Sequence, residues 1–156
     1  MNKWHGFECR QVMRGFLILL AVLFTSSGFA QNWEAGFDSA LQKAKSADRP
    51  LVLVFAGSDW CGPCIKLDRN IWQSEAFKAY ARENYVLYKA DFPRKKANRL
   101  PDDLQEENDR LAEKYNPKGY FPLVVVLNGE GRVLGKTGFA NVSPEEYIST
   151  LNAFVK

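Results

Sequence analysis

Two cysteines, Cys61 and Cys64, enclose Gly62-Pro63 and follow Trp60. That spacing puts two thiols one helical turn apart, close enough to close a small-ring disulfide. With Cys61 at a helix N-terminus, its thiolate would face unpaired backbone N–H groups and the positive end of the helix dipole. Both favour the anion, which is the attacking species in thiol–disulfide exchange. Pro63 has no N–H to donate, a lack the first helical turn tolerates, and Gly62 leaves the approach to Cys61 open. Cys64, one turn further in, is placed to attack the Cys61 sulfur and release a mixed disulfide. Three other readings stay open. A structural disulfide closing so short a loop would contribute little stability. A metal site would need two further ligands from carboxylates or a second chain. Two inert buried thiols would serve packing alone.

The rest of the chain narrows the chemistry further. Lys3, Arg10 and Arg14 lead into an apolar run from Phe16 to Phe24, followed by small and polar residues with Gly28 and Ala30 at the −3 and −1 positions of a cleavage site. Charge, short apolar core and small-residue exit are the parts of a secretory signal peptide, and the run is shorter than the roughly 20 residues of a spanning helix. Residues 1–30 are therefore expected to be a cleaved leader, with a retained anchor or a buried N-terminal helix as the alternatives, and residues 31–156 one domain, with no stable membrane insertion after cleavage. The third cysteine, Cys9, and the single histidine, His5, would leave with the leader. Without an imidazole, the domain cannot run Ser-His-Asp or Cys-His hydrolysis, nor hold a histidine-ligated metal or haem. A formal net charge of +3 over 156 residues is too near balance for a nucleic-acid partner recognised by charge. Hydrophobic residues at 46% and charged ones at 25% belong to a globular domain rather than a disordered chain.

The elements that must position the cysteines can be read in order. Trp33, Phe37, Ala40, Leu41 and Ala44 recur at helical spacing, with Asn32 as the cap, and Asp48-Arg49-Pro50 ends that helix. Leu51–Ala56 is a continuous apolar run, expected to be a strand covered on both faces. A loop, 57–60, precedes the Cys61–Cys64 helix, which breaks near 71–74 before a helix over 75–83 capped by Ser74. Tyr85–Asp91 is a second strand, 92–105 is irregular, and Asp103–Tyr115 is a helix stopped by Asn116-Pro117-Lys118-Gly119. Pro122 opens the strand Leu123–Leu127. Asn128-Gly129-Glu130-Gly131 signals a hairpin, returning over Arg132–Thr137. Ser143-Pro144-Glu145-Glu146 reads as a capping box with proline at the first helical position. The last helix then carries Tyr147, Ile148, Leu151 and Phe154 as its apolar stripe. Alternation of strand and helix implies parallel pairing, with the closing hairpin adding an antiparallel edge. The fold class is α/β, a mixed sheet of four strands, or five if an N-terminal strand precedes them, flanked by helices.

At Trp60-Cys61-Gly62-Pro63-Cys64 after an apolar strand, the chain resembles the thioredoxin superfamily, and its Gly57-Ser58-Asp59-Trp60 lead-in is similar to that of exported bacterial members. The resemblance extends to a proline opening a later strand after Tyr120-Phe121, the hairpin, a glycine beyond it and the terminal helix. It implies a thioredoxin-like fold and dithiol–disulfide exchange at a redox-active Cys61–Cys64 disulfide. Cys61 would be the nucleophile and Cys64 the resolving thiol. Pro122 would be the cis-proline beside the disulfide, Gly138 would line the substrate groove, and Trp60 would shield the pair. Gly62, Pro63 and Phe121 complete the implied substrate surface. The resemblance also implies no bound cofactor and no metal, protein disulfides as substrates, an upstream redox partner that resets the pair, and location in a bacterial periplasm. Glycine-proline between the cysteines resembles reductants. A holdase or peptide-binding module on the same fold, without turnover, is the alternative.

Two departures stand out. The strand Leu51–Phe55 lacks the buried acid that thioredoxin carries there, leaving the exposed Asp59 as either a substitute or, the commoner case, a solvated loop acid, and Phe121 is bulkier than the usual residue. Pro93-Arg94-Lys95-Lys96, with Arg99, is either a docking surface for an acidic partner or a solvated loop balanced by Asp102, Asp103, Glu106 and Glu107. Trp33, Trp72, Phe77 and Phe154 are expected in the core.

Overall fold

A computed structural model describes residues 33–156 of the chain. The leader with His5 and Cys9, and the Asn32 cap, lie outside the described residues. Along the chain come α1 (Phe37–Ala47), β1 (Leu51–Ala56), α2 (Gly62–Leu67, running on as a wide π-type turn over Asp68–Trp72) and α3 (Glu75–Asn84). After β2 (Val86–Asp91) follow a single 3-10 turn (Lys96–Asn98), α4 (Asp102–Tyr115), β3 (Leu123–Leu127), β4 (Val133–Thr137) and α5 (Pro144–Asn152). No helix among the described residues is long and apolar enough to cross a membrane.

The first helix begins later than its apolar spacing predicts. Gly36, extended at φ −140°, is its cap, and Trp33 lies outside it in an isolated parallel bridge to Leu87. The Glu34 N–H donates to the Leu87 carbonyl at 2.9 Å. Trp33 therefore reaches the core from extended chain, edge-on to Trp72 at 6.2 Å between centroids. This single bridge is all of a fifth strand that the described residues contain.

Four strands form one sheet in the order β2-β1-β3-β4. β1 pairs parallel with β2, Leu51 opposite Val86 through Ala56 opposite Asp91. β3 runs antiparallel to β1, Phe55 opposite Leu123, and β4 antiparallel to β3. Among the four strands, parallel pairing thus holds only for β1 with β2. The connection from Asp91 to Leu123 starts and ends at the same end of the strands, since Asp91 pairs with Ala56 and Leu123 with Phe55. This geometry puts the end of β1, the end of β2 and the start of β3 side by side.

All six residues of β1 are buried, as a strand with helices on both faces requires. Val52, Val54 and Leu87 pack on one face with Trp72, Phe77, Tyr147 and Leu151, the side that also holds both cysteines. Leu51, Leu53, Phe55 and Tyr88 pack on the other with Phe37, Leu111 and Tyr115. The capping box of α5 is complete: the Glu146 N–H donates to Ser143 Oγ at 3.2 Å and the Ser143 N–H to Glu146 Oε2 at 3.1 Å. Such a cap contributes about 1 kcal/mol. Phe154 falls beyond the end of α5 rather than in its stripe. Its ring lies over Gly135 of β4, where a Cβ would collide with it.

Candidate functional site

β1 delivers the chain to the end of the sheet, and Gly57 turns it. A side chain at Gly57 would run into the Trp60 ring, and the Gly57 carbonyl accepts from the Trp60 and Cys61 N–H groups at 3.3 and 2.9 Å. Cys61 is the N-cap of α2. Its Sγ accepts from the Cys64 N–H at 3.2 Å, so a backbone donor of the first turn points at the sulfur, as anion stabilisation there demands. Cys61 and Cys64 are joined as a disulfide with their Cα atoms 5.2 Å apart. Both are buried, whereas Gly62 and Pro63 are exposed. Nothing lies within 4 Å of where a Gly62 side chain would stand, so access to the sulfurs runs over that glycine. Among the described residues no group of three or more His, Cys, Asp and Glu side chains is placed to hold a metal ion.

The start of β3 forms the opposite wall. The Phe121–Pro122 peptide is cis, and the Phe121 ring meets Trp60 at 5.4 Å and Phe92 at 5.5 Å between centroids. The buried side chain of Asn116 shapes the approach, donating to the Tyr120 carbonyl at 2.8 Å and accepting from the Tyr120 N–H at 2.9 Å. Gly138 stands beside Pro122: a Cβ on it would sit 3.2 Å from the Pro122 carbonyl oxygen. The Tyr147 hydroxyl donates to the Gly138 carbonyl at 2.8 Å. Burial pushes the Tyr147 pKa up, keeping that donor protonated. Trp60, Gly62, Pro63, Phe121, Pro122 and Gly138 are thus gathered with the two cysteines at the end of the sheet where β1 stops and β3 starts.

Asp59 is a loop acid, but a bonded rather than a merely solvated one. Its carboxylate accepts from the Arg94 N–H at 2.9 Å, the Lys95 N–H at 3.0 Å and Asn98 Nδ2 at 3.0 Å. These bonds fasten the cysteine loop to the segment after β2, so this acid is a loop staple. The Arg94 backbone bond, followed by the Lys95 bond and its charge, holds the Asp59 carboxyl below its ordinary 3.8. A depressed pKa means the staple is fully formed above 3.8 and is lost as pH falls through the lower, folded value. The Arg94 and Lys95 amide proton shifts are expected to titrate together with a midpoint below 3.8, and Asp59→Asn to remove that titration. A midpoint above 3.8 would contradict the staple.

Behind the disulfide is a feature that sequence did not disclose. A cavity of about 220 Å³ is lined by Cys64, Val54, Pro122 and Trp72 together with Asp68 and Lys89. Lys89 Nζ lies 2.8 Å from Asp68 Oδ1. Val54 stands opposite Lys89 in the β1–β2 register, so the strand offers this cation no acid. The carboxylate comes instead from the π-type turn after α2, one helical turn beyond Cys64. The i, i+4 spacing of Cys64 and Asp68 is the sequence signal that could have found it.

Comparison with known proteins gives the same answer as the geometry. Residues 32–129 match the model of a thioredoxin-like family. The disulfide bond reductase DsbH of Chlamydia pneumoniae is 35% identical over 124 residues, an alignment covering 80% of this chain and 72% of that protein. The thioredoxin-related protein DsbJ of Chlamydia pneumoniae is 27% identical over 106 residues, 68% of this chain but only 30% of that longer protein. Among solved structures, a DsbH oxidoreductase superposes with a TM-score of 0.74 at 33% identity, covering 80% of this chain and 83% of that one. Family model, relatives and the four-stranded mixed sheet agree that this chain belongs to the thioredoxin-like family.

Proposed function

We propose that the protein is an exported thiol–disulfide oxidoreductase whose residues 31–156 form the working domain and reduce protein disulfides. The observation that carries this reading is the Cys61–Cys64 disulfide at the start of a helix, under an open glycine and beside the Phe121–Pro122 wall. The similarity to a disulfide bond reductase supports the reducing direction, and the leader read in residues 1–30 supports export to a periplasm.

In the reduced protein the Cys61 thiolate, facing the N–H groups of the first turn, attacks one sulfur of a substrate disulfide. A Cys61–substrate disulfide forms and the other substrate sulfur leaves as a thiolate, taking a proton from solvent. Cys64 then loses its proton and attacks the Cys61 sulfur. The mixed disulfide breaks, the second substrate thiolate departs and is protonated, and the Cys61–Cys64 disulfide remains. Two electrons and two protons have passed to the substrate, and a dithiol partner must return them. Trp60, Phe121, Pro122 and Gly138, with Gly62 and Pro63, form the surface on which an extended substrate lies. No cofactor takes part.

Cys64 is buried and needs an acceptor for its proton. Asp68 supplies one through water in the shared cavity, which is roomy and polar enough to hold it, while Lys89 Nζ, 2.8 Å from Asp68 Oδ1, fixes the carboxylate's position. Asp68→Asn should slow release of the mixed disulfide about a hundredfold at neutral pH, the low end of what one general base contributes. The first attack by Cys61 should keep its rate. Stopped-flow separation of the two steps checks this, and slowing confined to the first step would contradict it. For the function as a whole, the reduced protein should reduce insulin disulfides in catalytic amounts. Peptide binding that survives loss of both cysteines, without any turnover, would instead mark a holdase.

A further inference from the structure

The segment after β2 puts fixed positive charge beside the site. Arg94, Lys95, Lys96 and Arg99 are all exposed, and an exposed basic loop ordinarily wanders in solvent. This one is held by three hydrogen bonds to Asp59, two residues before Cys61. The Arg94 guanidinium lies 3.7 Å from the centre of the Trp60 ring, and the Trp60 indole N–H donates to the Phe92 carbonyl at 2.7 Å. The same indole packs against Phe121. The charge therefore begins where the apolar wall of the groove ends. Among the described residues, only Arg99 of the four has a carboxylate in ion-pair range, Asp102 at 3.2 Å. Asp59 offsets one of the remaining three charges while its oxygens are taken up by the loop, and Asp91, bonded to Ser58, offsets a second, so the lip keeps a net positive charge of one.

We propose that this stapled basic lip selects disulfide substrates whose cysteine is flanked by acidic residues. The inference rests on the oxidoreductase reading. An extended segment lying along Trp60 and Phe121 would bring carboxylates a few residues from its cysteine against Arg94, Lys95 and Lys96. The attraction acts on encounter and docking, so it raises the second-order rate of exchange and is weakened by salt. The exchange itself is the one described above: the reduced pair passes two electrons and two protons to the peptide disulfide and becomes oxidised.

The test uses pre-reduced protein in single turnover with three disulfide-bonded peptides of equal length, whose cysteines are flanked by Glu, Gln or Lys. At low ionic strength the Glu peptide should react about tenfold faster than the Lys peptide, with Gln between, the gap closing to about twofold in 0.5 M salt. The variant Lys95→Glu/Lys96→Glu should reverse the order. Equal rates for the three peptides in the wild-type protein would overturn the lip while leaving the oxidoreductase standing. Failure to reduce any of them would overturn both. The wild-type peptide and salt series decides the matter even if the variant does not fold.

Discussion

Cys61→Ser is expected to abolish disulfide reduction, with a loss of roughly a thousandfold or more. A serine hydroxyl stays protonated where a thiol can ionise, and it cannot form the mixed disulfide. The companion variant Cys64→Ser keeps the attacking sulfur at the helix start, with the residue-64 N–H still directed at it. It should complete the first attack and stop there, accumulating a covalent protein–substrate disulfide that a non-reducing gel displays and dithiothreitol dissolves. The two variants differ because the sulfurs differ in position: Cys61 caps the helix beside the open Gly62, while Cys64 faces the cavity shared with Asp68. Undiminished turnover in Cys61→Ser, or adducts on Cys64 instead of Cys61, would contradict the assignment of roles.

Trp72→Ala should be the most damaging substitution outside the disulfide, destabilising the fold by about 3–5 kcal/mol. Trp72 is 1% exposed, and its ring meets Phe77 at 4.7 Å, Tyr147 at 5.4 Å and Trp33 at 6.2 Å between centroids. Removing it leaves a cavity bounded by three separate elements that cannot all close upon it. Against a total stability of about 5–15 kcal/mol, that is a large fraction. Urea unfolding should show a lower midpoint with an unchanged slope, and a loss under about 1 kcal/mol would mean that the aromatic cluster collapses without cost. Trp72 also lines the cavity behind Cys64, so the substitution should slow resolution of the mixed disulfide as well.

Much of this was legible in the residue order, for local reasons. Leu51–Ala56 reads as a strand covered on both faces because every position is apolar, and all six are buried. Ser143 and Glu146 announce a helix start because their side chains bond each other's backbone across three residues. The cysteine pair is legible because its chemistry depends on spacing within one helical turn. What escaped notice depends on partners distant in sequence. Asp59 finds its donors at Arg94 and Lys95, thirty-five and thirty-six residues on, so nothing near it marks it as a staple. Asp68 is one of many helix acids until β2 brings Lys89 against it. Trp33 falls on a helical period by coincidence of spacing, and Gly36 with the bridge to Leu87 decides otherwise. The antiparallel course of β3 beside β1 is a long-range pairing, which an alternation of elements does not encode.

The central claim is that the Cys61–Cys64 pair donates electrons to protein disulfides. Its most direct test is the reduction potential of that pair, from equilibration with glutathione or dithiothreitol followed by thiol trapping. The account predicts a value near the roughly −270 mV of thioredoxin. A value near the roughly −120 mV of a strong oxidant, or a pair that never forms its internal disulfide, would contradict it.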